Sequence, residues 1–85
     1  MATIDEEAAR GAQAEALMRN EIYIETFEIL EQSYIEAWKN TQPHQVDDRE
    51  RIFRLQLTLN EVKEHIENVA LTGKMAMTAI EDSLS

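Results

Sequence analysis

Hydrophobic residues recur along two stretches of the chain at alternating steps of three and four. The repeating positions of the first stretch are Tyr23, Phe27, Leu30, Tyr34 and Ala37. Those of the second are Ile52, Leu55, Leu59, Val62, Ile66 and Val69. Because this spacing places side chains on one face of an α-helix, we predict an all-α fold in which two long helices form an antiparallel hairpin. The contacts expected at its centre join Phe27, Leu30 and Tyr34 to Leu55, Leu59 and Val62.

The limits of the first helix follow from the residues that flank its stripe. Thr3 begins a capping-box pattern, so the helix is expected to start at residue 4. It is expected to end at Asn40, in a left-handed conformation, because Pro43 disfavours helix in the residue before it. Residues 41–46 would then form the connection, which is short enough to make the two helices neighbours.

The second helix is predicted over residues 47–72. Asp47 and Glu50 have the spacing of a side-chain cap and its reciprocal partner. Gly73 is expected to close the helix with a positive φ. The tail, residues 73–85, keeps an apolar rhythm, so it can form a short third helix or a continuation past Gly73.

Residues 8–16 are rich in alanine and have few large side chains. Alanine favours helix strongly, but small side chains bury little apolar surface. We therefore expect the order of this segment to depend on a partner. Whether residues 1–16 and 74–85 are ordered without a partner is left open by the sequence.

The whole chain, residues 1–85, is interpreted as a single domain. A chain of 85 residues with 44% hydrophobic and 29% charged residues has a composition ordinary for a folded protein. Domains of this size bury only about 60% of the surface that the unfolded chain exposes. The core is therefore expected to be thin.

Several large apolar residues fall outside the two stripes. We predict that they form an intermolecular surface: Ile22, Ile29, Trp38, Phe53 and Leu57. A lone hairpin cannot bury both its seam and these outer residues, so either self-association or a dedicated protein partner is expected. A homodimer that forms a four-helix bundle is the favoured form. The alternative is that they are scattered exposed residues, which are common on protein surfaces.

The charge balance disfavours two kinds of partner. Seventeen acidic and eight basic residues give a net charge of −9, which repels both nucleic-acid backbones and anionic membrane surfaces. No stretch has the length and hydrophobicity of a membrane span, and residues 1–7 lack the pattern of a signal peptide. A cytoplasmic protein without nucleic-acid or membrane contacts is the resulting expectation.

Glu21, Glu25 and Glu28 form an acidic face at helical spacing. Such a run is typical of a solvated helix surface. The functional alternative is an acidic inhibitor or mimic that docks in a basic groove of a host protein.

Basic residues cluster at the start of the second helix, at Arg49, Arg51 and Arg54. In a hairpin this cluster would lie near Glu36 at the end of the first helix. Interhelical ion pairs are therefore expected, and an anion site is the alternative.

Little in the sequence indicates catalysis or cofactor binding. Cysteine is absent, and no glycine-rich phosphate loop is present. Glu61 and His65 could share one face of a helix, but no matching ligand motif occurs on the first helix. We predict a non-enzymatic protein with no metal or cofactor; a metal-binding helical pair is the alternative.

Short segments spread over residues 10–74 resemble small, uncharacterised helical proteins of tailed-bacteriophage and prophage gene modules. The segments are Arg10-Gly11-Ala12, Ala14-Glu15-Ala16-Leu17, Tyr34-Ile35-Glu36-Ala37-Trp38, Arg49-Glu50-Arg51 and Thr72-Gly73-Lys74. The resemblance implies a phage-encoded accessory protein that acts in or beside virion assembly in the cytoplasm of a bacterial host. It carries no site residues over to this chain.

Overall fold

The structure is a computed structural model that describes residues 2–85. It contains three α-helices, α1 (Ile4–Met18), α2 (Glu21–Lys39) and α3 (Val46–Leu84), and no strand over the described part of the chain. The predicted all-α class is confirmed. α1 begins as expected, because the Thr3 hydroxyl accepts a hydrogen bond from the backbone N–H of Glu6 at 3.1 Å.

The expected single helix over residues 4–40 is in fact two helices. Asn20 interrupts it with an extended backbone (φ −69°, ψ 129°), and its Oδ1 accepts a hydrogen bond from the N–H of Tyr23 at 3.1 Å. Asparagine competes well with the helix for backbone hydrogen bonds and caps a new helix at low cost. The prediction missed this break because the apolar spacing of α2 gives no sign of it.

The connection between α2 and α3 differs from the prediction in its details. Asn40 caps α2 in a right-handed conformation (φ −85°), so the expected left-handed cap is wrong. α3 begins at Val46 after Gln45, which makes no side-chain cap hydrogen bond, and Asp47 lies inside the first turn. Gln45 instead accepts from the N–H of Gln42 at 2.7 Å and closes the turn.

α3 continues through Gly73 to Leu84, which the prediction had left open as one alternative. No residue of the described chain has a positive φ, so the expected helix end at Gly73 is wrong. The glycine is required for another reason. A Cβ atom added to Gly73 would overlap the Cα of Gly11 and lie 3.0 Å from the carbonyl oxygen of Glu7.

The backbones of α1 and α3 therefore touch at a crossing of two glycines. Small residues surround this crossing and are buried: Gly11 and Ala14 on α1, and Ala70, Gly73 and Ala76 on α3. The alanine-rich segment thus packs by close backbone approach rather than by large side chains. Ile52, 7% exposed, is the one larger apolar residue among the described residues that reaches the same degree of burial.

α2 packs on α3 through half-buried side chains, and its inward positions match the predicted stripe: Tyr23, Phe27, Leu30, Tyr34 and Ala37. The stripe on α3 is right at four of its six positions, since Ile52, Leu59, Ile66 and Val69 are buried or half-buried. Leu55 and Val62, by contrast, are 41% and 48% exposed. Gln56 and Lys63 take the inward positions instead.

The glycine crossing explains this rotation of α3. Once Gly73 and Ala70 face α1, positions seven residues earlier along α3 face the same side. From Ala70 these positions are Lys63 and Gln56, and from Gly73 they are Ile66 and Leu59. Contact with α1 therefore fixes which residues of α3 meet α2.

The molecule is long and only two helices thick. Contacts join α3 to α2 at Trp38 and Arg49 and at Glu31 and Lys63, and to α1 at Gly11 and Gly73. The principal extents are 62 × 26 × 17 Å, and the radius of gyration is 18.1 Å. A compact domain of this length would have a radius of gyration of about 12 Å. Each helix therefore leaves much of its circumference in solvent.

Candidate functional site

The α2–α3 pair has two broad faces, one on each side of the line where the helices meet. Residues just after an inward position lie on one face, and residues just before an inward position lie on the other. On α2 and α3, residues that directly follow an inward position line the grooves on one face. Trp38 and Phe53 lie there near the α2–α3 connection, together with Ile24 and Glu67 farther along. Residues that directly precede an inward position lie on the opposite face, because each step along a helix rotates by about 100°.

The five predicted interface residues are all exposed. Trp38 and Phe53, 37% and 51% exposed, line one groove, and Leu57 follows Phe53 by one turn. Ile22 and Ile29, 68% and 56% exposed, directly precede the inward residues Tyr23 and Leu30 and so lie on the opposite face. The structure therefore brings together Trp38 and Phe53 but separates them from Ile22 and Ile29.

The groove at the α2–α3 connection combines aromatic and basic groups. It is lined by Trp38, Pro43, Val46, Arg49, Glu50 and Phe53. The guanidinium carbon of Arg49 lies 4.1 Å from the centre of the Trp38 ring, a cation–π contact that covers part of the indole. The structural role of Trp38 is therefore to hold the start of α3 against the end of α2.

The basic cluster makes different contacts from those expected. Arg54 pairs with Glu50 within α3 at 2.9 Å, and Arg49 stacks on Trp38. Glu36 accepts a hydrogen bond from Gln32 at 3.3 Å and takes part in none of the ion pairs of residues 2–85. The expected pairing of this cluster with Glu36 is wrong. Arg49 stacks on Trp38 instead, and Arg54 pairs with Glu50 one turn earlier in α3.

Two ion pairs connect different helices. Lys63 on α3 lies 3.3 Å from Glu31 on α2, and Lys74 on α3 lies 3.9 Å from Glu15 on α1. Both pairs are partly exposed, so each contributes only about 0–1 kcal/mol to stability.

The predicted acidic face is open to solvent. Glu21, Glu25 and Glu28 are exposed, and over residues 2–85 none of them belongs to an ion pair. No basic side chain of the described residues therefore pairs with these carboxylates.

His65 lines an open cleft between the start of α1 and α3, with Glu7, Arg10, Asn68 and Thr72 among its neighbours. Within the described chain no three His, Cys, Asp or Glu side chains are grouped closely enough to hold a metal ion. No described helix is both long and apolar enough to cross a lipid bilayer.

Sequence reasoning missed the residues that set the packing, above all Gly11 and Gly73. A signal was available, because Gly11 and Ala14, and likewise Ala70 and Gly73, are small residues three apart. Such pairs allow two helix backbones to approach closely. The large apolar residues, in contrast, lie mainly on α2 and give no sign of this crossing.

Comparison of the chain with family models, with curated proteins and with solved structures finds no match.

Proposed function

We propose that this chain is a non-enzymatic, self-associating helical protein that acts through protein–protein contacts. In this proposal the chain forms an antiparallel hairpin, and two hairpins assemble into a helical bundle. The observation that carries the proposal is the shortage of enclosed apolar surface: no large side chain of residues 2–85 is fully buried.

The order of the contacts supports the hairpin. Trp38 meets Arg49, Glu31 meets Lys63, and Gly11 meets Gly73, so residue numbers fall along one partner as they rise along the other. Two helices that pack side by side can each cover only one side of the other. A second hairpin would cover another side of both helices at once.

The free energy available from such an assembly is large. Burying one large apolar side chain completely contributes about 1.5–3 kcal/mol. Val62 and Ile29 lie on the same face and are both about half exposed, so covering side chains of this kind offsets part of the cost of ordering two chains.

Sedimentation velocity over a concentration series tests the proposal. We expect a species of twice the 9.8 kDa chain mass at micromolar concentration, in equilibrium with monomer on dilution. A folded chain that stays monomeric at the highest concentration reached would contradict self-association.

The biological setting that we propose is that of a phage-encoded accessory acting in or beside virion assembly. This part rests on the sequence resemblance described above. Its test is affinity purification of the tagged chain from phage-infected or prophage-induced cells. Recovery of virion or assembly proteins would support it, whereas recovery of host enzymes alone would contradict it.

The second candidate is an acidic inhibitor or mimic that occupies a basic groove of a host protein. The observation that favours it is the exposure of Glu21, Glu25 and Glu28, which form no ion pair among the described residues. Charge attraction would then dominate the binding, so replacing the three residues by glutamine should abolish it. Binding that survives this replacement would exclude the acidic face as the contact.

A further inference from the structure

We propose that the groove on the Trp38 side of the α2–α3 pair binds a cationic amphipathic helix of another protein. The docked helix has an apolar stripe that contacts one half of the groove and lysine or arginine side chains that contact the other half. This inference rests on the proposed action through protein–protein contacts, but it does not depend on self-association.

The groove is formed by residues that directly follow inward positions on both helices. Three clefts succeed one another along it: one lies beside Trp38, the next beside Ile35 and the third beside Ile24. The second and third clefts share Glu31 in their linings. From Ile24 to Trp38 the groove spans about 21 Å, which corresponds to about four turns of a docked helix.

The half of the groove near the α2–α3 connection is apolar. Four side chains that are between 37% and 51% exposed lie there: Ile35, Trp38, Phe53 and Leu57. The charged groups beside them already have partners, because the Arg49 guanidinium stacks on Trp38 and Glu50 pairs with Arg54. This half therefore offers exposed apolar surface to an apolar stripe.

The other half of the groove is acidic. Four carboxylates lie there, at helical spacing on the two helices: Glu28, Glu31, Glu64 and Glu67. Lys63 lies among them and pairs with Glu31 at 3.3 Å. Over residues 2–85 neither Glu28 nor Glu67 belongs to an ion pair. This half of the groove therefore favours cationic side chains.

A helix is the partner element that fits both halves. Two antiparallel helices leave a groove that a third helix fills with apolar side chains at every third and fourth position. Such side chains would contact Trp38 and Leu57, while lysine or arginine farther along the same helix would pair with Glu28 and Glu67. Binding would then cover apolar surface without leaving a buried carboxylate unpaired.

A second copy of this chain does not supply such a helix. Its densest basic cluster, Arg49, Arg51 and Arg54, is interrupted by Glu50 and directly preceded by Asp48. The net charge of −9 on each copy also repels the acidic half of the groove of another copy, whereas it attracts a basic segment. The occupant is therefore a different protein.

The opposite face of the α2–α3 pair lacks the combination of apolar and acidic halves. Its central positions carry Thr26, Ile29, Thr58 and Val62, none of which is charged. A cationic helix would form no ion pairs with these side chains. We therefore expect it to bind on the Trp38 side, which leaves the opposite face available for the proposed self-association.

Fluorescence anisotropy with a labelled synthetic peptide tests the inference. The probe is a helical peptide of about 18 residues, long enough to cover the groove, with a leucine stripe and four lysines flanking the stripe in one half. One probe suffices, because it can dock in either direction. A reference peptide with glutamate in place of lysine should bind at least about tenfold more weakly. The dissociation constant of the lysine probe should rise as sodium chloride is raised from about 0.05 to 0.5 M.

Two matched pairs of substitutions test the acidic half. Glu28→Gln with Glu67→Gln removes two exposed carboxylates from the groove. Glu36→Gln with Glu61→Gln removes two exposed carboxylates from the same helices, and neither lines the groove, since Glu36 lies on the opposite face and Glu61 points away from α2. We expect the first pair to raise the dissociation constant of the probe about fivefold and the second pair to leave it within about twofold.

Leu57 and Val62 provide a matched test of the apolar half. Both lie on α3 and are 48% exposed, but Leu57 belongs to the groove and Val62 to the opposite face. Leu57→Ser should weaken binding of the probe about fivefold, and Val62→Ser should change it less than about twofold. Circular dichroism checks that both variants remain helical, and the glutamine pairs keep the inference testable if one of them does not.

Each of several outcomes would overturn the inference. These are the absence of saturable binding of the lysine probe at low salt, equal losses for the two glutamine pairs, and equal losses for Leu57→Ser and Val62→Ser. Sedimentation velocity on the same samples reports self-association separately, so a monomeric chain that binds the probe contradicts only self-association. A wild-type dimer that Leu57→Ser dissociates and Val62→Ser leaves intact would show that a second copy occupies the groove, and would overturn the inference.

Discussion

At the scale of single residues, the contact between Gly11 and Gly73 has the largest consequences. A Cβ atom at Gly11 would overlap the Cα of Gly73 and lie 3.2 Å from the carbonyl oxygen of Val69. The atoms that it would meet belong to the backbone and cannot rotate away. In an uncrowded helix, by contrast, replacing glycine by alanine stabilises by about 1 kcal/mol.

We predict that Gly11→Ala lowers the free energy of unfolding by about 1–3 kcal/mol, since overpacking outweighs the gain in helix propensity. Urea unfolding at a fixed protein concentration would measure it, because self-association makes the apparent stability depend on concentration.

Ala12→Gly is the control for this experiment, since Ala12 is the exposed neighbour of Gly11 in the same helix. It should lose about 1 kcal/mol from propensity alone. If Gly11→Ala instead increased the stability by a similar amount, the close approach of α1 and α3 would be wrong.

Tyr23 carries a buried hydroxyl group that opposes the packing of its own ring. Its hydroxyl is buried without a hydrogen-bond partner among the described residues, while its ring lies 4.6 Å from that of Phe27. The contribution of this residue to the packing therefore comes from its ring, and an unpaired buried hydroxyl opposes part of it.

At the scale of the elements, the break between α1 and α2 is the feature that separates two modes of packing. α1 approaches α3 through glycine and alanine, whereas α2 is kept farther away by tyrosine, phenylalanine and leucine side chains. One straight helix could not satisfy both distances over its whole length. Asn20 resolves this conflict by ending one helix and capping the next.

We predict that Asn20→Ala lowers the free energy of unfolding by about 1 kcal/mol, because the N–H of Tyr23 loses its side-chain acceptor. Thr3→Ala removes a cap hydrogen bond of the same 3.1 Å length at the free end of α1. Since helix ends fray, its effect should be smaller. Equal losses for the two variants in urea unfolding would show that the break has no special role.

At the scale of the whole molecule, charge and shape act in opposite directions. The elongated pair of helices leaves apolar side chains exposed, which favours association, while a net charge of −9 on each copy opposes it. The balance therefore depends on ionic strength. The Debye length falls from about 10 Å at 0.1 M salt to about 3 Å at 1 M.

We predict that self-association becomes tighter as sodium chloride is raised from about 0.05 to 0.5 M, because salt screens the repulsion between copies. Sedimentation equilibrium at each salt concentration would measure the dissociation constant. Docking of the acidic face in a basic groove would show the opposite trend. A dissociation constant that rises with salt would therefore contradict association through an uncharged surface.

Much of the fold is predictable from local spacing. The sequence predicts the helical class and the stripe of α2, because both depend on residues close together in the chain. It also predicts that Trp38, Phe53, Ile22 and Ile29 remain exposed, since two stripes cannot cover them. The break at Asn20 is local as well, but asparagine is common at the surface of uninterrupted helices.

The sequence by itself determined that long helices form and which side of α2 is apolar, because the period of an α-helix converts spacing directly into a face. Only the tertiary structure decided which side of α3 turns inward. That choice depends on Gly11 and Gly73, 62 residues apart, whose backbones must touch. Their contact rotates Gln56 and Lys63 toward α2 and leaves Leu55 and Val62 in solvent. The close approach of two glycines far apart in the chain therefore outweighs the hydrophobicity of Leu55 and Val62.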